Sequence, residues 1–318
     1  MLRIILVLLC SLQLAIAQNK KVLFIIADGI PASEFEKVNK PAFDAIINKG
    51  AYLPCYVGGE KGGLTESPTI SAVGYNSLLT GTWTNKHGVV DNAIKSPNYN
   101  YPTIFKVFKE AYPNKKIGVF STWLDNRTKL VGDGLPQTNY LQVDYRRDGY
   151  ELDTLQFPHD KNAWYIHLID EKVITEAAHV IKDSAPDLSW VYLEYTDDMG
   201  HKHGKGPELD RAIFLLDKQI QKLMNAVAYR ENNFNEEWLV IITTDHGRDV
   251  QTGKDHGGQS DAERNTWLVM NHRPNHYAFE NRTAIVDIFP TIATFLNIKL
   301  SKNVAEALEG ISLLDPKL

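Results

Sequence analysis

Acidic and histidine side chains occur at four places where a predicted strand ends or has just ended. Asp28 ends the run VLFIIAD, and Asp245 with His246 ends the run WLVIITTDH. One such residue is usually only part of a turn, so the prediction depends on all four places meeting at one edge of a sheet. Where cysteine is absent, carboxylates and imidazoles are the usual ligands of zinc, and paired metal ions hold both oxygens that exchange in a phosphoryl transfer. The candidate ligands are Asp28, Asp197, His201, Asp245, His246 and His256, a number that fits two divalent metal ions.

Ser71 is the candidate nucleophile, because it stands where a loop passes into an apolar helical run. Unpaired N–H groups and the positive end of the helix dipole favour an incoming phosphate and a serine alkoxide at this position. Two alternatives stay open from the local sequence. Serine is also a common N-cap residue, and His87 is available as the base of a Ser/His/Asp triad, although no G-x-S-x-G turn surrounds Ser71.

Short apolar runs alternate with amphipathic helical patterns along the chain. Strands are predicted at 21–27, 117–121, 188–195, 238–244 and 266–270. Helices are predicted at 41–49, 71–79, 103–111, 170–182, 207–228 and 287–296. This alternation predicts an α/β sandwich in which helices cover both faces of a mostly parallel sheet. Such sheets bind ligands at the carboxyl ends of their strands, which is where the candidate ligands lie.

Residues 18–318 are predicted to form a single domain, because no repeat and no Pro/Gly/Ser-rich linker divides them. The segment 123–164 lacks periodicity and is rich in Asp, Tyr, Arg and Gly, so we expect an inserted loop or small cap over the site. Trp123 begins this segment, and it or Tyr140 is a candidate for stacking on a flat substrate group, with simple packing as the alternative.

Residues 1–17 have the pattern of a signal peptide, with Arg3 before an apolar run and an Ala15-x-Ala17 cleavage site. The run is shorter than the roughly 20 apolar residues that a bilayer span needs. We therefore predict a secreted or periplasmic protein without a transmembrane segment. After cleavage Cys55 would be the single cysteine, which excludes an intramolecular disulfide. The net charge of −5 does not favour binding to a phosphate backbone, so we expect no stable nucleic-acid complex.

In this order, the motifs resemble the alkaline phosphatase superfamily, and most closely its nucleotide pyrophosphatase/phosphodiesterase-like branch. That family has a strand-end Asp, a Ser or Thr nucleophile nine residues before Thr-Gly, an Asp-x-x-x-His, an Asp-His-Gly and a final His. The matching residues are Asp28, Ser71 before Thr80-Gly81, Asp197 with His201, Asp245-His246-Gly247 and His256. The resemblance covers nearly the whole mature chain and implies an alkaline-phosphatase-like three-layer sandwich.

The resemblance also implies how the ligands are shared between the two ions. Asp197, His201 and His256 would hold one ion. The other would be held by Asp28, Asp245, His246 and the Ser71 oxygen. Zinc is the expected metal, although this ligand set also admits manganese or iron.

Neighbouring polar residues are assigned by the same resemblance. Asn92, in KHGVVDN, matches the amide with which the family's phosphodiesterases contact a phosphate oxygen, and an ordinary turn residue is its alternative role. Asp198 lacks the four-residue step to His201 that Asp197 has. His203 fits neither metal set, so we expect it outside the direct ligands.

Differences from the sequence motifs of related enzymes narrow the class of reaction. Sulfatases of the superfamily carry C/S-x-P-x-R at the nucleophile, whereas Val73 and Tyr75 stand at the Pro and Arg positions here. The arginine that phosphomonoesterases use for two free phosphate oxygens cannot be placed. The sequence therefore favours a phosphodiesterase or nucleotide pyrophosphatase that acts on a small phosphate ester through a phosphoseryl-type intermediate. Alternatives are a phosphomonoesterase, a sulfate or phosphonate ester hydrolase, and an inactive metal-stabilised binding module.

Overall fold

Eight strands are present in the computed structural model, which describes residues 18–316. The predicted signal peptide, residues 1–17, lies outside the described residues. The strands are β1 (Asn19–Ala27), β2 (Ala51–Tyr56), β3 (Ile117–Ser121), β4 (Tyr145–Arg147), β5 (Leu188–Leu193), β6 (Glu236–Thr243), β7 (Asn265–Met270) and β8 (Thr283–Ala284). They form one sheet in the order β4-β3-β5-β1-β6-β7-β2-β8.

Twelve α-helices accompany these strands within the described part of the chain. They are α1 (Ala32–Lys37), α2 (Pro41–Lys49), α3 (Ser71–Thr80), α4 (Thr84–His87), α5 (Ile104–Ala111), α6 (Trp164–Ser184), α7 (Tyr195–His203), α8 (Pro207–Asn233), α9 (Asp261–Arg264), α10 (Tyr277–Glu280), α11 (Ile288–Phe295) and α12 (Lys302–Ala307). Between residues 18 and 316, none of them combines the length and apolar character needed to cross a bilayer.

The sheet is mostly parallel, as the alternating pattern predicts. Strand β1 lies at its centre and pairs in parallel with β5 and β6, with Ala27 opposite Leu193 and Ile26 opposite Thr243. Only β7 is reversed among the described strands, since it runs antiparallel to both β6 and β2. Consequently β5, β1 and β6 end side by side at one edge.

Two apolar cores lie on opposite faces of the sheet. Alternate side chains of β1 point to opposite sides, so Phe24 packs with α3, α5 and α11, whereas Ile25 packs with α2, α6 and α8. The free energy gained from burying each large apolar side chain is about 1.5–3 kcal/mol. The predicted three-layer α/β sandwich is confirmed.

Several boundaries differ from those that the sequence predicts. The strand expected to run to residue 195 ends at Leu193, because the chain turns there into α7, which the sequence pattern does not indicate. Strand β2 was not predicted, since Pro54 interrupts its apolar run, yet it pairs with β7 over six residues. Helix α6 begins at Trp164, earlier than the predicted residue 170.

The segment 123–164 includes short helical turns and β4, which pairs in parallel with β3. Arg127 ties this segment together, because its guanidinium donates to Asp148 and to Asp133, each at 2.6 Å. Part of the segment thus extends the main sheet, and its start lies beside the candidate site.

Candidate active site

Three adjacent parallel strands bring the candidate ligands together. Asp28 directly follows β1, Asp245 lies two residues after β6, and Asp197 lies in the first turn of α7, which follows β5. The carboxyl ends of neighbouring parallel strands meet at the same edge of a sheet. The loop that holds His256 completes the group, since the His256 and His246 rings stack with centroids 3.6 Å apart.

Ser71 is the first residue of α3 and is buried against the candidate ligands. The N-cap of α3 is Ile70, which makes no side-chain capping bond, so the alternative role of Ser71 as an N-cap is wrong. Its Oγ lies 3.3 Å from His246 Nε2. The hydroxyl is therefore directed at the candidate ligands, at the helix end where N–H groups favour an anion.

Close packing of α3 on the Asp245 loop brings Ser71 to this position. A Cβ at Gly74, one turn further along α3, would lie 2.8 Å from the Asp245 backbone oxygen and 2.9 Å from its Cβ. Any side chain at Gly74 would push the helix away, so glycine is needed here for steric reasons.

The inner cluster consists of Asp28, Asp245, His246 and Ser71. His246 Nε2 lies 3.3 Å from Asp28 Oδ1 and 3.2 Å from Asp245 Oδ2, in addition to its contact with Ser71 Oγ. His246 Nδ1 lies 2.9 Å from the Gly247 carbonyl oxygen, which can only accept, so Nδ1 carries the hydrogen. The lone pair of Nε2 in the neutral ring therefore faces the three oxygens, as a metal ligand requires.

Negative charge is concentrated in the inner cluster. Burial and the charge of Asp28 raise the pKa of Asp245 well above its usual value. Burial lowers the pKa of His246, but the carboxylates of Asp245 and Asp28 outweigh it and raise the value to about 9. Asp28 Oδ1 and Asp245 Oδ2 are buried without a hydrogen-bond partner in the described structure. These properties fit a site for a divalent cation.

The outer cluster consists of Asp197, His201 and His256, whose ligand atoms lie within 4.8 Å of one another. Asp197 and His201 are four residues apart on α7, which places His201 Nε2 3.2 Å from Asp197 Oδ2. His256 Nδ1 donates to the Thr69 carbonyl oxygen at 2.8 Å, so its Nε2 is free to face His201 Nε2 at 3.1 Å. Two ring nitrogens this close need a shared proton or a cation between them.

Asp197 borders both clusters. Its Oδ1 lies 3.9 Å from His246 Nε2, and Asp28, Asp197 and His246 form a second group with ligand atoms within 4.8 Å. Burial opposes the ionisation of Asp197, but hydrogen bonding to His201 and the charge of Arg248 hold its pKa well below its usual value. Burial and the charge of His246 lower the pKa of His256 to about 4. Both groups are thus held in the states that bind metals.

Two tyrosines that the sequence motifs do not place in the site orient Asp28. The hydroxyls of Tyr75 and Tyr192 both donate to Asp28 Oδ2, that of Tyr192 at 2.6 Å. This leaves Oδ1 for the inner cluster. Tyr75 occupies the position of the sulfatase arginine, and here this position orients Asp28. No sequence signal distinguishes these two tyrosines from ordinary core residues.

Arg248 is fully buried and was also missed. Its guanidinium donates to the Gly29 carbonyl oxygen at 3.0 Å, to the Lys254 carbonyl oxygen at 2.9 Å and to Asp197, both backbone and carboxylate. It therefore fixes the residue that borders both clusters. Its position directly after Asp-His-Gly is the one feature of the sequence that places it near the site. The sequence does not distinguish a buried arginine at this position from an exposed one.

Asp170 of α6 supports the helix that holds the outer ligands. Its carboxylate accepts from the backbone N–H groups of Glu194 and Tyr195, at 3.1 and 3.0 Å, and from Thr122 Oγ1 at 2.6 Å. It thus satisfies unpaired N–H groups at the start of α7. Burial raises the pKa of Asp170 to about 7.

A cleft of about 380 Å³ opens beside Ser71 and is lined by Asn92, Trp123 and Glu194, among others. Asn92 Oδ1 accepts from the Ala72 N–H at 3.0 Å. Since no other bond to this side chain is seen in residues 18–316, its NH₂ group is free to donate. Trp123 is half-buried at the cleft wall and meets Tyr75 edge-on.

Other residues considered in the sequence lie apart from the clusters. His87 Nε2 contacts Ser77 Oγ at 3.1 Å and burial lowers its pKa to about 3, so the proposed triad with Ser71 is wrong. His203 is exposed, and Asp198 belongs to neither group of ligand atoms. Tyr140 is exposed and does not line the cleft.

Residues 22–282 match the sequence profile of the family described as type I phosphodiesterase / nucleotide pyrophosphatase. The chain belongs to this family. GPI ethanolamine phosphate transferase 2 of Candida albicans is 28% identical over 120 residues, which are 34% of this chain and 13% of that protein. The matched parts span only 13–21% of the curated relatives.

Solved structures show the same fold. Human ectonucleotide pyrophosphatase/phosphodiesterase 5 has a TM-score of 0.61 and 15% identity, over 91% of this chain and 100% of that one. A 2-O GAG sulfatase has a TM-score of 0.65 and 13% identity, over 95% of this chain and 76% of that one. The predicted resemblance to the nucleotide pyrophosphatase/phosphodiesterase branch is confirmed by the family match, and the solved structures share the fold.

Proposed function

We propose that this protein hydrolyses phosphodiesters with Ser71 as the nucleophile and two divalent metal ions in the inner and outer clusters. One observation carries the proposal. His246 Nε2 lies within 3.2–3.3 Å of three oxygens, one of which is Ser71 Oγ, although two of these oxygens have no hydrogen-bond partner in residues 18–316. Such convergence of unpaired ligand atoms on a hydroxyl is expected of a metal-activated nucleophile and not of a structural serine.

The assignment of ligands follows the two clusters. Asp28, Asp245, His246 and Ser71 Oγ would hold the inner ion, and Asp197, His201 and His256 the outer one. When bound, two such cations, for which zinc fits the nitrogen and oxygen ligands, would favour the serine alkoxide, balance charge on the phosphate and activate the hydrolytic water.

Ser71 Oγ would attack phosphorus in line while the bond to one ester oxygen breaks. The product is a phosphoseryl diester, in which phosphorus keeps the other substituent, and the departing alkoxide leaves as an alcohol. Water then breaks the Ser71–phosphorus bond, releases a phosphate monoester and restores the hydroxyl. The free NH₂ of Asn92 and the N–H groups of the first turn of α3 other than that of Ala72, which donates to Asn92, would bind the equatorial oxygens in both steps.

A diester is favoured over a monoester by the charges around the cleft. The described residues that line it include no lysine or arginine. Arg248, the nearby arginine, is fully buried and bonded to Asp197, Gly29 and Lys254. A monoester would bring a second free anionic oxygen that no side chain is placed to balance, whereas a diester brings only one charge.

Replacement of the nucleophile tests this proposal. Ser71→Ala should lower kcat on bis-p-nitrophenyl phosphate by more than about a thousandfold, because it removes the oxygen that would attack phosphorus. The variant should keep most of its metal, since Asp28, Asp245 and His246 remain, and elemental analysis will check this. Near-normal turnover by Ser71→Ala would overturn the role of Ser71. A control is Ser77→Ala, which removes a buried hydroxyl of the same helix that faces His87.

Transfer to an alcohol is a second candidate outcome of the same intermediate. It is favoured by the match to an ethanolamine phosphate transferase. Turnover of bis-p-nitrophenyl phosphate with added glycerol would distinguish the two, because transfer yields a glyceryl diester and hydrolysis yields only the monoester. Absence of the glyceryl product at molar glycerol would leave hydrolysis as the reaction.

We further propose that the protein is secreted or periplasmic and that residues 18–318 form one catalytic domain. The pattern of residues 1–17 supports the first statement, and the single sheet that joins β1 to β8 supports the second. Amino-terminal sequencing of the exported protein should begin at Gln18. A mature protein that retains Met1 would contradict this.

A further inference from the structure

Thr69 lies two residues before Ser71 and is almost completely buried. Its hydroxyl accepts from the Gly257 N–H and donates to the Gly258 carbonyl oxygen, each at 2.9 Å. Its own carbonyl oxygen accepts from His256 Nδ1 at 2.8 Å. Thr69 is therefore bonded three times to a loop that lies far along the chain, and the mechanism proposed above gives its hydroxyl no task.

The hydroxyl of Thr69 has one orientation. The Gly258 carbonyl oxygen can only accept, so the hydroxyl hydrogen points to it and a lone pair faces the Gly257 N–H. Gly257 has a φ of 112°, which other residues rarely adopt, so the backbone has unusual freedom here and is fixed by its bonds. A hydroxyl at position 69 thus supplies two of the bonds that hold the loop next to His256.

The far end of the same loop is held by bonds that do not involve Thr69. The Gly258 N–H donates to Glu263 Oε1 at 2.7 Å, and Gln259 Nε2 donates to the Ser67 carbonyl oxygen at 2.7 Å. Removal of the Thr69 hydroxyl should therefore displace the part of the loop around His256 and leave the rest of the loop in place.

Thr69 also determines how the chain enters α3. Ile70 is the N-cap, its carbonyl oxygen accepts from the Gly74 N–H at 2.9 Å, and Ser71 is the first helical residue. Two residues span at most about 7 Å, so a shift of Thr69 is passed almost directly to Ser71. The residue that is bonded to a histidine of the outer cluster is thus joined to the candidate nucleophile by a very short stretch of chain.

We propose that Thr69 is a positioning residue that fixes Ser71 relative to His256, so that the nucleophile and the outer cluster act on the same phosphate. This inference rests on the phosphodiesterase activity proposed at Ser71 and on His256 as a ligand of the outer ion. In-line displacement needs the attacking and departing oxygens on opposite sides of phosphorus, and a misplacement of about 1 Å can lower the rate by about a hundredfold. The hydroxyl of Thr69 keeps the two groups in register before any ligand binds.

Thr69→Val tests the proposal, because valine keeps the shape of threonine and loses both hydroxyl bonds. Titration of the zinc-loaded protein with a competing chelator should show that affinity for the outer ion falls about tenfold while the inner ion is unaffected. At saturating zinc, kcat on bis-p-nitrophenyl phosphate should remain about tenfold below that of wild type, with KM changed by less than about twofold. Thr69→Ser keeps the hydroxyl and should bring both quantities to within about threefold of wild type.

Thr291→Val is the matched control. Thr291 lies in α11 and is fully buried, and its hydroxyl donates to the Asp287 carbonyl oxygen at 2.7 Å and accepts from the Leu313 N–H at 2.8 Å. The substitution removes the same pair of bonds away from the clusters, so it should lower the melting temperature by a similar amount but leave zinc affinity and kcat unchanged. If Thr69→Val does not fold, Thr69→Ala, which places no methyl group against the Gly257 N–H, is measured in its place and should show the same losses.

Three results would overturn the proposal. Full recovery of kcat at saturating zinc would mean that Thr69 supports only the ligand His256 and does not position Ser71. Equal losses in Thr69→Ser and Thr69→Val would show that the hydroxyl has no such role, and an equal loss of kcat in Thr291→Val would indicate a general effect of lower stability. A wild-type protein that cleaves no diester would instead contradict the function proposed for Ser71, whereas the chelator titration reports on Thr69 without turnover.

Discussion

The inner and outer clusters use the same ligand types but differ in how they are built. Asp28, Asp245 and His246 are almost completely buried at the ends of adjacent strands. In the outer cluster, His201 is exposed and Asp197 and His256 are half-buried, on a short helix and a loop. Strand ends in the centre of a sheet are rigid, whereas α7 depends on its end contacts. We therefore expect the inner ion to bind tightly and exchange slowly, and the outer ion to exchange with solvent.

The largest expected effect comes from the inner cluster. Asp245→Asn should lower activity by more than about a thousandfold and remove the inner ion, since the carboxylate is one of the three side-chain ligands that we propose for this ion besides Ser71. The metal-free variant should nevertheless melt at a higher temperature than metal-free wild type. The raised pKa of Asp245 means that its stabilising contribution is lost as the pH rises above its unfolded value, so removing the charge relieves the native state at neutral pH.

Elemental analysis and turnover check the expected loss of the ion and of activity. Thermal melts in the presence and absence of a chelator check the expected gain in stability. Asp198→Asn is the matched control, because Asp198 is a nearby carboxyl outside both groups of ligand atoms. An Asp245→Asn protein with wild-type metal content would show that the inner cluster is misassigned.

A smaller and more reversible effect is expected in the outer cluster. His201→Ala should reduce the metal content from two ions to one and lower kcat/KM by about a hundredfold. Excess zinc should restore part of the activity, because an exposed site with two remaining ligands still binds weakly. His203→Ala, an exposed histidine two residues further along, should change neither quantity. Two tightly bound ions in His201→Ala would remove the distinction between the clusters.

The groups that orient the ligands should have still smaller effects. Tyr192→Phe removes the hydroxyl that donates to Asp28 Oδ2 at 2.6 Å. Affinity for the inner ion should fall about tenfold, while the outer ion is unaffected, as titration with a competing chelator can measure. Tyr112→Phe is the control, since it loses a hydroxyl bonded to the Leu296 carbonyl oxygen far from the site. An equal loss at both ions would mean that the clusters do not bind independently.

The smallest expected effect is the pH dependence due to Asp170, beneath the outer cluster. Its pKa is about 7 in the folded protein, against 3.8 as its ordinary value. The stability it contributes is therefore present below about pH 4 and is lost as the pH rises to about 7. In urea unfolding of the metal-free protein, the unfolding free energy of wild type should fall relative to that of Asp170→Asn as the pH is raised from 5 to 8. A constant difference would contradict the raised pKa.

The same contrast explains how much could be predicted from the sequence. The candidate ligands lie in short ordered motifs at strand ends, so their meeting at one edge follows from the topology of a parallel sheet. Tyr75, Tyr192 and Arg248 could not be predicted, because their roles depend on distances between segments far apart in the chain. Helix α7 could not be predicted because it is short and most of its residues are polar, so it has no apolar periodicity.

The most direct test of the account is to trap the intermediate on Ser71. The metal-loaded enzyme is mixed with bis-p-nitrophenyl phosphate, quenched in acid within milliseconds, digested and analysed by mass spectrometry. We predict that the peptide containing Ser71 carries one p-nitrophenyl phosphoryl group, and that this adduct is absent from Ser71→Ala. A burst of p-nitrophenol with no adduct on Ser71, or with the adduct on another residue, would contradict the central claim.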